Sequence, residues 1–420
     1  MIPDNIKILE TLEKDYNAIS IFKYKSSTAW VNIKNFIYSK SFQIEFSQNY
    51  DLHYKKFFFF FFLSLKNLFS SFGKSTLFVG AGSGIVEHEG NLVDVYFPHS
   101  LLDEKNVFYF TSADILDKMY ENKTFYKENK VIVHSFLFSS FRNLFAKILK
   151  GFVSTQDKDI IDYLNKKNIT ITHDDLNYIY AKFVAAYWIY KIVFYFKYIE
   201  KAYVISSYSN SEIIAVLKEK GVEVIELQHG ILGELHRGYN YKIKSPILPT
   251  PNKVMVYNDF WKEELLEAQY YTSHQIEILP RFQYDAVQDK QLFDKKYIVF
   301  TGQGICKIEI ERFLLDAIEF LEKNDIYLIY LPHPSEKGMI EIDNPYIKII
   351  ERKEDLTEQY IYSAIAHISI YSSCHFDAVH FQNKTYILDC LEGNIMNYYR
   401  KNNSEKFIYI KDIIEMNYEN

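Results

Sequence analysis

From residue 201 onward the chain alternates short apolar runs with helical ones, and this alternation limits its fold more than any other feature. KAYVISS (201–207), the helical run NSEIIAVLKEKG ending at Gly221, and VEVIELQHG (222–230) make a strand–helix–strand unit. Such units join parallel strands by a right-handed crossover. NKVMVYN, DFWKEELLEAQYY and QIEILP carry the pattern to Pro280. RFQYDAVQDKQLFDK, which follows, is polar and aperiodic and reads as an interdomain connection. A second series then begins with KYIVFTGQG (296–304) and the helical run KIEIERFLLDAIEFLEKN. It continues through IYLIYLPHP (326–334), YIKIIE (346–351), the helix LTEQYIYSA, AHISIYSS (366–373), a helix from His375, and TYILD. Two such blocks predict an α/β protein of two Rossmann-like doubly wound domains facing a cleft. The expected limits are 1–285 for the first domain, with an irregular N-terminal elaboration, and 291–393 for the second. Residues 394–420 read as a C-terminal helical segment returning toward the first domain.

A chain of 420 residues exceeds what one core normally organises. The net charge of −6 leaves no basic footprint for nucleic acid, so none is expected as a partner. Cys306, Cys374 and Cys390 form no CxxC pair and no zinc spacing, which suits a reducing cytosol. The opening MIPDNIKILETLEKDY is mixed and charged, unlike a signal peptide. Residues 57–69, FFFFFFLSLKNLF, fall short of the roughly 20 positions that span a bilayer. Residues 176–199 are long enough, but Lys182, Lys191 and Lys197 interrupt them. Each lysine costs about 2.5–3.5 kcal/mol near the bilayer centre, so a buried core helix is expected. Peripheral attachment through the Phe run is the membrane contact left open.

Before residue 200 the pattern is less regular. STLFVGAG (75–82), NVFYFTSAD (106–114) and VIVHSF (131–136) read as short buried strands, and VEHEGNLVDVYF (86–97) as a hairpin turning at His88-Glu89-Gly90. Thr172 with Asp175 predicts a capping box at the start of the long apolar helix, with Asp in place of Glu. Asp157-Lys158-Asp159 follows a polar segment and reads as helix-start acids.

In doubly wound sheets ligands bind beyond the carboxyl ends of the strands, which directs attention to four loops. Gly302-Gln303-Gly304 is a strand-to-helix turn whose glycines permit close approach of a ligand to backbone amides, or serve only as a tight turn. His333, between two prolines, sits in a stiff loop from which its imidazole could donate to a phosphate oxygen. Ser372 and Ser373 either cap the following helix or cradle a phosphate, and Asp377 one turn on could reach a ribose hydroxyl. In ELQHGILGELHRGY (226–239), a strand-end His229 beside acids can serve as general acid or base, with Gln228, Gly230, Glu234, His236 and Arg237 around it. No metal site is expected, because His229 and His236 lack helical ligand spacing.

The order of these loops resembles GT-B-fold glycosyltransferases of bacterial surface polysaccharide synthesis, over roughly residues 200–390. The similarity is closest to capsule and lipopolysaccharide enzymes, including the Kdo-transferase and sialyltransferase-like groups. The resemblance implies a metal-independent transfer, without cofactor, from a nucleotide-sugar donor to an oligosaccharide or lipid-linked glycan acceptor, at the cytoplasmic face of the inner membrane. It implies a donor held by the second domain, through Gly302, Gln303, Gly304, His333, Ser372, Ser373 and Asp377, and an acceptor side on the first, through Gln228, Gly230, His236 and Arg237. His229 is the first candidate for the catalytic base, with Glu234 and Glu89 behind it. In the sialyltransferase-like groups two acids precede the glycine, whereas this chain has His88-Glu89-Gly90. The phosphate-oriented set His333, Ser372 and Ser373 favours a CMP-linked acidic sugar, with UDP- or GDP-sugars open. A nucleotide-sugar epimerase of the same architecture and a non-catalytic polysaccharide-assembly partner are the alternatives.

Overall fold

Seven short runs of β-branched and aromatic residues assemble the first sheet: β1 (Lys74–Val79), β2 (Val107–Thr111), β3 (Lys130–Val133), β4 (Tyr198–Ile205), β5 (Glu223–Leu227), β6 (Lys253–Val256) and β7 (Ile276–Ile278). Their order across the sheet is β7-β6-β5-β4-β1-β2-β3, and every neighbouring pair is parallel. The second sheet contains β8 (Tyr297–Thr301), β9 (Tyr327–Leu331), β10 (Ile347–Ile349), β11 (Ala366–Ser369), β12 (Thr385–Leu388) and β13 (Phe407–Ile410). Its order is β10-β9-β8-β11-β12-β13, again all parallel. In both sheets the first strand lies inside, two strands add on one side, and the chain then returns to the other. The reversal falls between β1 and β4 and between β8 and β11, the switch points where such sheets open a crevice.

This computed structural model describes residues 4–41, 54–69, 74–80, 85–88, 91–97, 107–111, 130–153, 155–195, 197–281, 284, 287–303, 306–333, 336, 340–350, 357–391, 396, 399 and 407–416. The chain divides into two compact units: Ile2–Ile85 with Asp94–Arg281, and Phe282–Asn420 with Val86–Val93 and Met1.

Both units are doubly wound, as the apolar alternation predicts. The described helices are α1 (Asp4–Lys14), α2 (Trp30–Ser41), α3 (Tyr54–Phe69), α4 (His134–Leu149), α5 (Lys158–Lys166), α6 (His173–Tyr195), α7 (Ser211–Glu219), α8 (Asp259–Glu267), α9 (Lys307–Asp316), α10 (Ile318–Asn324), α11 (Thr357–Tyr362) and α12 (Cys374–His380), besides a four-residue turn at Ala18–Ile21. On β8, Ile298 and Phe300 join a core with Phe313 of α9 and Leu321 of α10. Tyr297 and Val299 point the other way and pack with Tyr360 and Ile361 of α11. A strand covered on both faces must be apolar at every position, which is why these runs show no polar alternation. In the first sheet Leu77, Val79, Phe110 and Val204 pack with Phe183 and Tyr187 of α6 and Ile213 of α7. Phe78, Tyr109 and Tyr203 of the opposite face meet around Phe97.

Local signals hold in detail. At the start of α6 the Thr172 amide donates to Asp175 Oδ2 at 3.0 Å and the Asp175 amide donates to Thr172 Oγ1 at 3.1 Å, the reciprocal pair expected of a capping box. Gly221 ends the helical run with φ +74°, a conformation that favours glycine. Ile85–His88 and Asn91–Asp94 form a two-stranded sheet at the expected hairpin. Among the described residues no helix is long and apolar enough to cross a membrane.

Four elements differ from expectation. Within 394–420, where a helical segment is expected, Phe407–Ile410 pairs in register with Thr385–Leu388 as the edge strand of the second sheet. A short 3-10 turn at Ile413–Glu415 follows it. FIYI is a β-former that can hide Phe407 and Ile410 against that sheet. The single helical run after β8 is two helices, and β3 ends at Val133, from where α4 continues. Asp157 stands at the start of α5, but its carboxylate turns to His173 Nδ1 at 2.5 Å and the Thr155 hydroxyl at 2.9 Å.

The N-terminal elaboration is fixed by a buried ion pair. Lys34 of α2 donates to Glu13 of α1 at 2.8 Å, the two side chains being 3% and 0% exposed. Trp30 Nε1 also donates to Glu13 at 2.9 Å, and the Lys242 amide donates to its other oxygen at 2.7 Å. These bonds satisfy the carboxylate that burial would otherwise penalise.

Candidate functional site

The two units carry separate groups of polar residues, each at the carboxyl ends of its strands. In the first unit β4 is followed by Ser206, held in the left-handed region at φ 54°. The Ser206 hydroxyl lies 2.9 Å from His229 Nε2, and the Tyr208 hydroxyl lies 3.3 Å from the same nitrogen. Each hydroxyl can donate to Nε2 or accept from it, so both tautomers of the neutral ring fit these contacts. The His229 Nδ1 is enclosed and has no hydrogen-bond partner among the described residues. Burial pushes the His229 pKa down from its ordinary 6.5 to about 4, so the imidazole is unprotonated at neutral pH. A base must be in that state to accept a proton.

The rest of the loop holds this histidine in place. Gln228 Oε1 accepts from the Tyr257 amide at 2.8 Å, and its Nε2 donates to the Gly230 carbonyl at 2.9 Å. At Gly230 a Cβ would meet nothing within 4 Å, so no protein atom demands the glycine there. His236 Nδ1 accepts from the Gly238 amide at 3.1 Å, and its ring packs on Tyr208 and Tyr239. Arg237 Nε donates to Asn35 at 2.9 Å, with the guanidinium over the Tyr38 ring. Glu234, expected among the candidate bases, is in an ion pair with Lys242 at 3.0 Å. Glu89 lies outside the described residues.

Sequence reasoning passed over Glu226, whose carboxylate is fully buried under the loop. Its Oε1 accepts from the Ser207 amide at 2.9 Å and the Tyr239 hydroxyl at 2.7 Å. Desolvation raises its pKa above the usual carboxylate range. The available signal was an acid, Glu226, among the apolar residues of EVIEL, whose other acid, Glu223, opens the strand.

In the second unit the ends of β8, β9 and β11 bring three expected loops onto one edge of the sheet. The Gly302 amide donates to the Leu331 carbonyl at 2.8 Å, tying the Gly-turn to the Pro332-His333 loop. A Cβ at Gly302 would stand 2.5 Å from Tyr330 Oη and 2.8 Å from Glu336 Oε2, so any larger residue requires these side chains to shift. Glu336 accepts from the Tyr330 hydroxyl at 2.8 Å and from the His333 amide at 3.1 Å, which shapes the turn that carries His333. Gln303 is nearly buried, and Gly304 lies outside the described residues.

Across the switch point, Ser372 Oγ accepts from the Cys374 amide at 3.2 Å, which leaves its proton to donate. Ser373 makes no side-chain cap and is half-exposed. Capping therefore accounts for one hydroxyl and not the other. Asp377, expected at a ribose, is buried and its carboxylate accepts from the Tyr284 hydroxyl at 2.7 Å.

A buried chain of hydrogen bonds underlies these loops. Thr301 Oγ1 lies 2.9 Å from His367 Nε2, and Thr385 Oγ1 lies 2.7 Å from His367 Nδ1 and 2.6 Å from His375 Nδ1. The Ser369 hydroxyl donates to the Thr301 carbonyl at 2.7 Å. Burial drives both imidazoles far below the ordinary value, His375 to about 3, so they act as neutral spacers. Among the described residues no cluster of three or more His, Cys, Asp or Glu could hold a metal ion.

No protein-family model matches the chain, and no curated protein matches it either. Among solved structures it is similar to that of the kitacinnamycin glycotransferase, at 10% identity over 82% of this chain and 87% of that one, with a TM-score of 0.47. It is also similar to the UDP-GlcNAc 2-epimerase of Methanocaldococcus jannaschii in complex with UDP-GlcNAc and UDP, at 10% identity, 80% and 89% coverage and TM-score 0.43. The Neisseria meningitidis UDP-GlcNAc 2-epimerase bound to UDP-GlcNAc gives 9% identity, 80% and 87% coverage and TM-score 0.44. Nothing about chemistry follows from likenesses this distant.

Proposed function

We propose that the chain is a metal-independent glycosyltransferase that moves a sugar from a nucleotide-sugar donor to a surface-glycan acceptor, with a CMP-linked acidic sugar favoured. The observation that carries this reading is the gathering of Gly302, Gln303, His333, Ser372 and Ser373 at the switch-point end of one parallel sheet. Breaking the donor's anomeric C–O bond leaves negative charge on the departing phosphate. His333 and the Ser372 and Ser373 hydroxyls are the donors that would stabilise that charge. The acceptor hydroxyl forms the new C–O bond and loses its proton to a base. His229 suits that role because burial keeps its imidazole neutral and its Nε2 lies within hydrogen-bond reach of hydroxyls. Glu234 pairs with Lys242 and Asp377 accepts from the Tyr284 hydroxyl, so each would act from a carboxylate already held in place.

A thermal-shift screen with CMP, UDP, GDP and dTDP tests the donor half. Ligand at a hundred times its dissociation constant stabilises by about 2.7 kcal/mol. A shift with one nucleotide, lost in Ser373→Ala and His333→Ala, is the expected result. Absence of a shift with all four, together with no turnover of any nucleotide sugar, overturns the proposal.

A further inference from the structure

Helix α4 packs through one side and leaves a stripe of large apolar side chains uncovered, its polar residues including Arg142, Asn143 and Lys147. Phe138, Ala146 and Leu149 face α6 and the core. The opposite side exposes Phe141 by 53%, Leu144 by 56%, Phe145 by 45% and Ile148 by 54%, at the spacing of a single helical stripe. Phe152, just beyond the helix, is 83% exposed. Helix α3 packs beside α4 and adds Phe62, 63% exposed. A helix with an unburied apolar face normally lies against something.

The charges nearby indicate what that is. The chain as a whole carries −6, yet α3 and α4 contain no Asp or Glu. Their charged residues are Lys55, Lys56, Lys66, Arg142 and Lys147, and Lys66 and Lys147 are exposed beside the apolar stripes. Phenylalanine and leucine bordered by lysine, with the exposed Asp174 already paired to Lys150, is the composition that settles at the headgroup level of an anionic bilayer. An ordinary protein partner gives no reason for two neighbouring helices of an acidic chain to lack acids. The stripes also run along helices parted from a spanning role by their length and lysines, so the contact is with the surface of the bilayer.

We infer that the α3–α4 face is a peripheral membrane-docking surface for anionic lipid, independent of any reading of the polar loops. Full-length protein is sedimented with vesicles of phosphatidylcholine alone and of phosphatidylcholine with phosphatidylglycerol. Binding is expected to the anionic vesicles and to weaken with salt. Removing two inserted rings in Phe145→Ser/Phe152→Ser should lower vesicle affinity by about a hundredfold. Lys66→Glu/Lys147→Glu should lower it by about tenfold or more. Both side-chain pairs are exposed, so the fold should survive, and an unchanged thermal midpoint checks this. No binding to anionic vesicles overturns the inference, as does equal, salt-independent binding to neutral ones. A dimer in solution that the Phe variant dissociates, without a change in vesicle binding, overturns it in favour of a second copy.

Discussion

Replacing His229 by Gln isolates the thermodynamic cost of enclosing this imidazole. In the folded chain it titrates at about 4, and unfolded at its ordinary 6.5. Between those values the unfolded chain binds a proton that the folded chain does not, so stability is full above the unfolded pKa and falls as pH drops. Working the two constants through the linkage relation gives a loss of about 2 kcal/mol from about pH 7 to about pH 5, and about 3 kcal/mol below the folded pKa. His236 shifts in the same direction, mainly through burial, and is present in both proteins; the part of its shift that comes from His229 is removed in the variant and enters the difference. At neutral pH the variant should be less stable by about 1 kcal/mol, for the lost contact with Ser206. Near about pH 5 it should equal or exceed the parent. Urea unfolding followed by tryptophan fluorescence is suited to this, because Trp30, Trp188 and Trp261 all lie in the unit that contains His229. Parallel pH dependences for parent and variant would refute the argument, since they would mean that His229 is solvated and titrates normally.

Two further substitutions test the packing that shapes the loops and the N-terminal elaboration. Gly302→Ala forces a methyl against Tyr330 and Glu336 and should destabilise the second unit by about 1–3 kcal/mol, with part recovered by Glu336→Ala in the same chain; equal unfolding midpoints for Gly302→Ala and the parent would show that the loop yields freely. Glu13→Ala leaves the Lys34 ammonium buried without its carboxylate and should cost about 3–5 kcal/mol in urea unfolding, whereas Lys34→Met added to it should restore most of that loss.

How much was legible from sequence depends on the range of the interactions involved. The strand ends and the four loops were readable because apolar period and Gly or Pro punctuation are local properties of the chain. The same holds for the Thr172–Asp175 cap, which joins residues one helical turn apart. FIYI was misread because its period is too short to separate strand from helix, and its pairing with β12 is decided by a partner distant in sequence. Side-chain roles were the least legible. Lys242 pairs with Glu234 and Tyr284 donates to Asp377, contacts that no local pattern announces. Serine 206 looked like an ordinary strand end, and its contact with His229 depends on β4 lying beside β5.

The sequence by itself determined that this chain is two doubly wound α/β units with polar loops at strand ends, because hydrophobic period dictates which faces must be buried. Only the tertiary structure decided the strand order, and with it the switch points at Ser206 and between Gly302 and Ser372. It alone also decided the protonation state of His229 and the exposure of the α4 stripe. Those properties are set by which surfaces are covered and which hydroxyls stand within about 3 Å of a nitrogen, and no local pattern of residues encodes them.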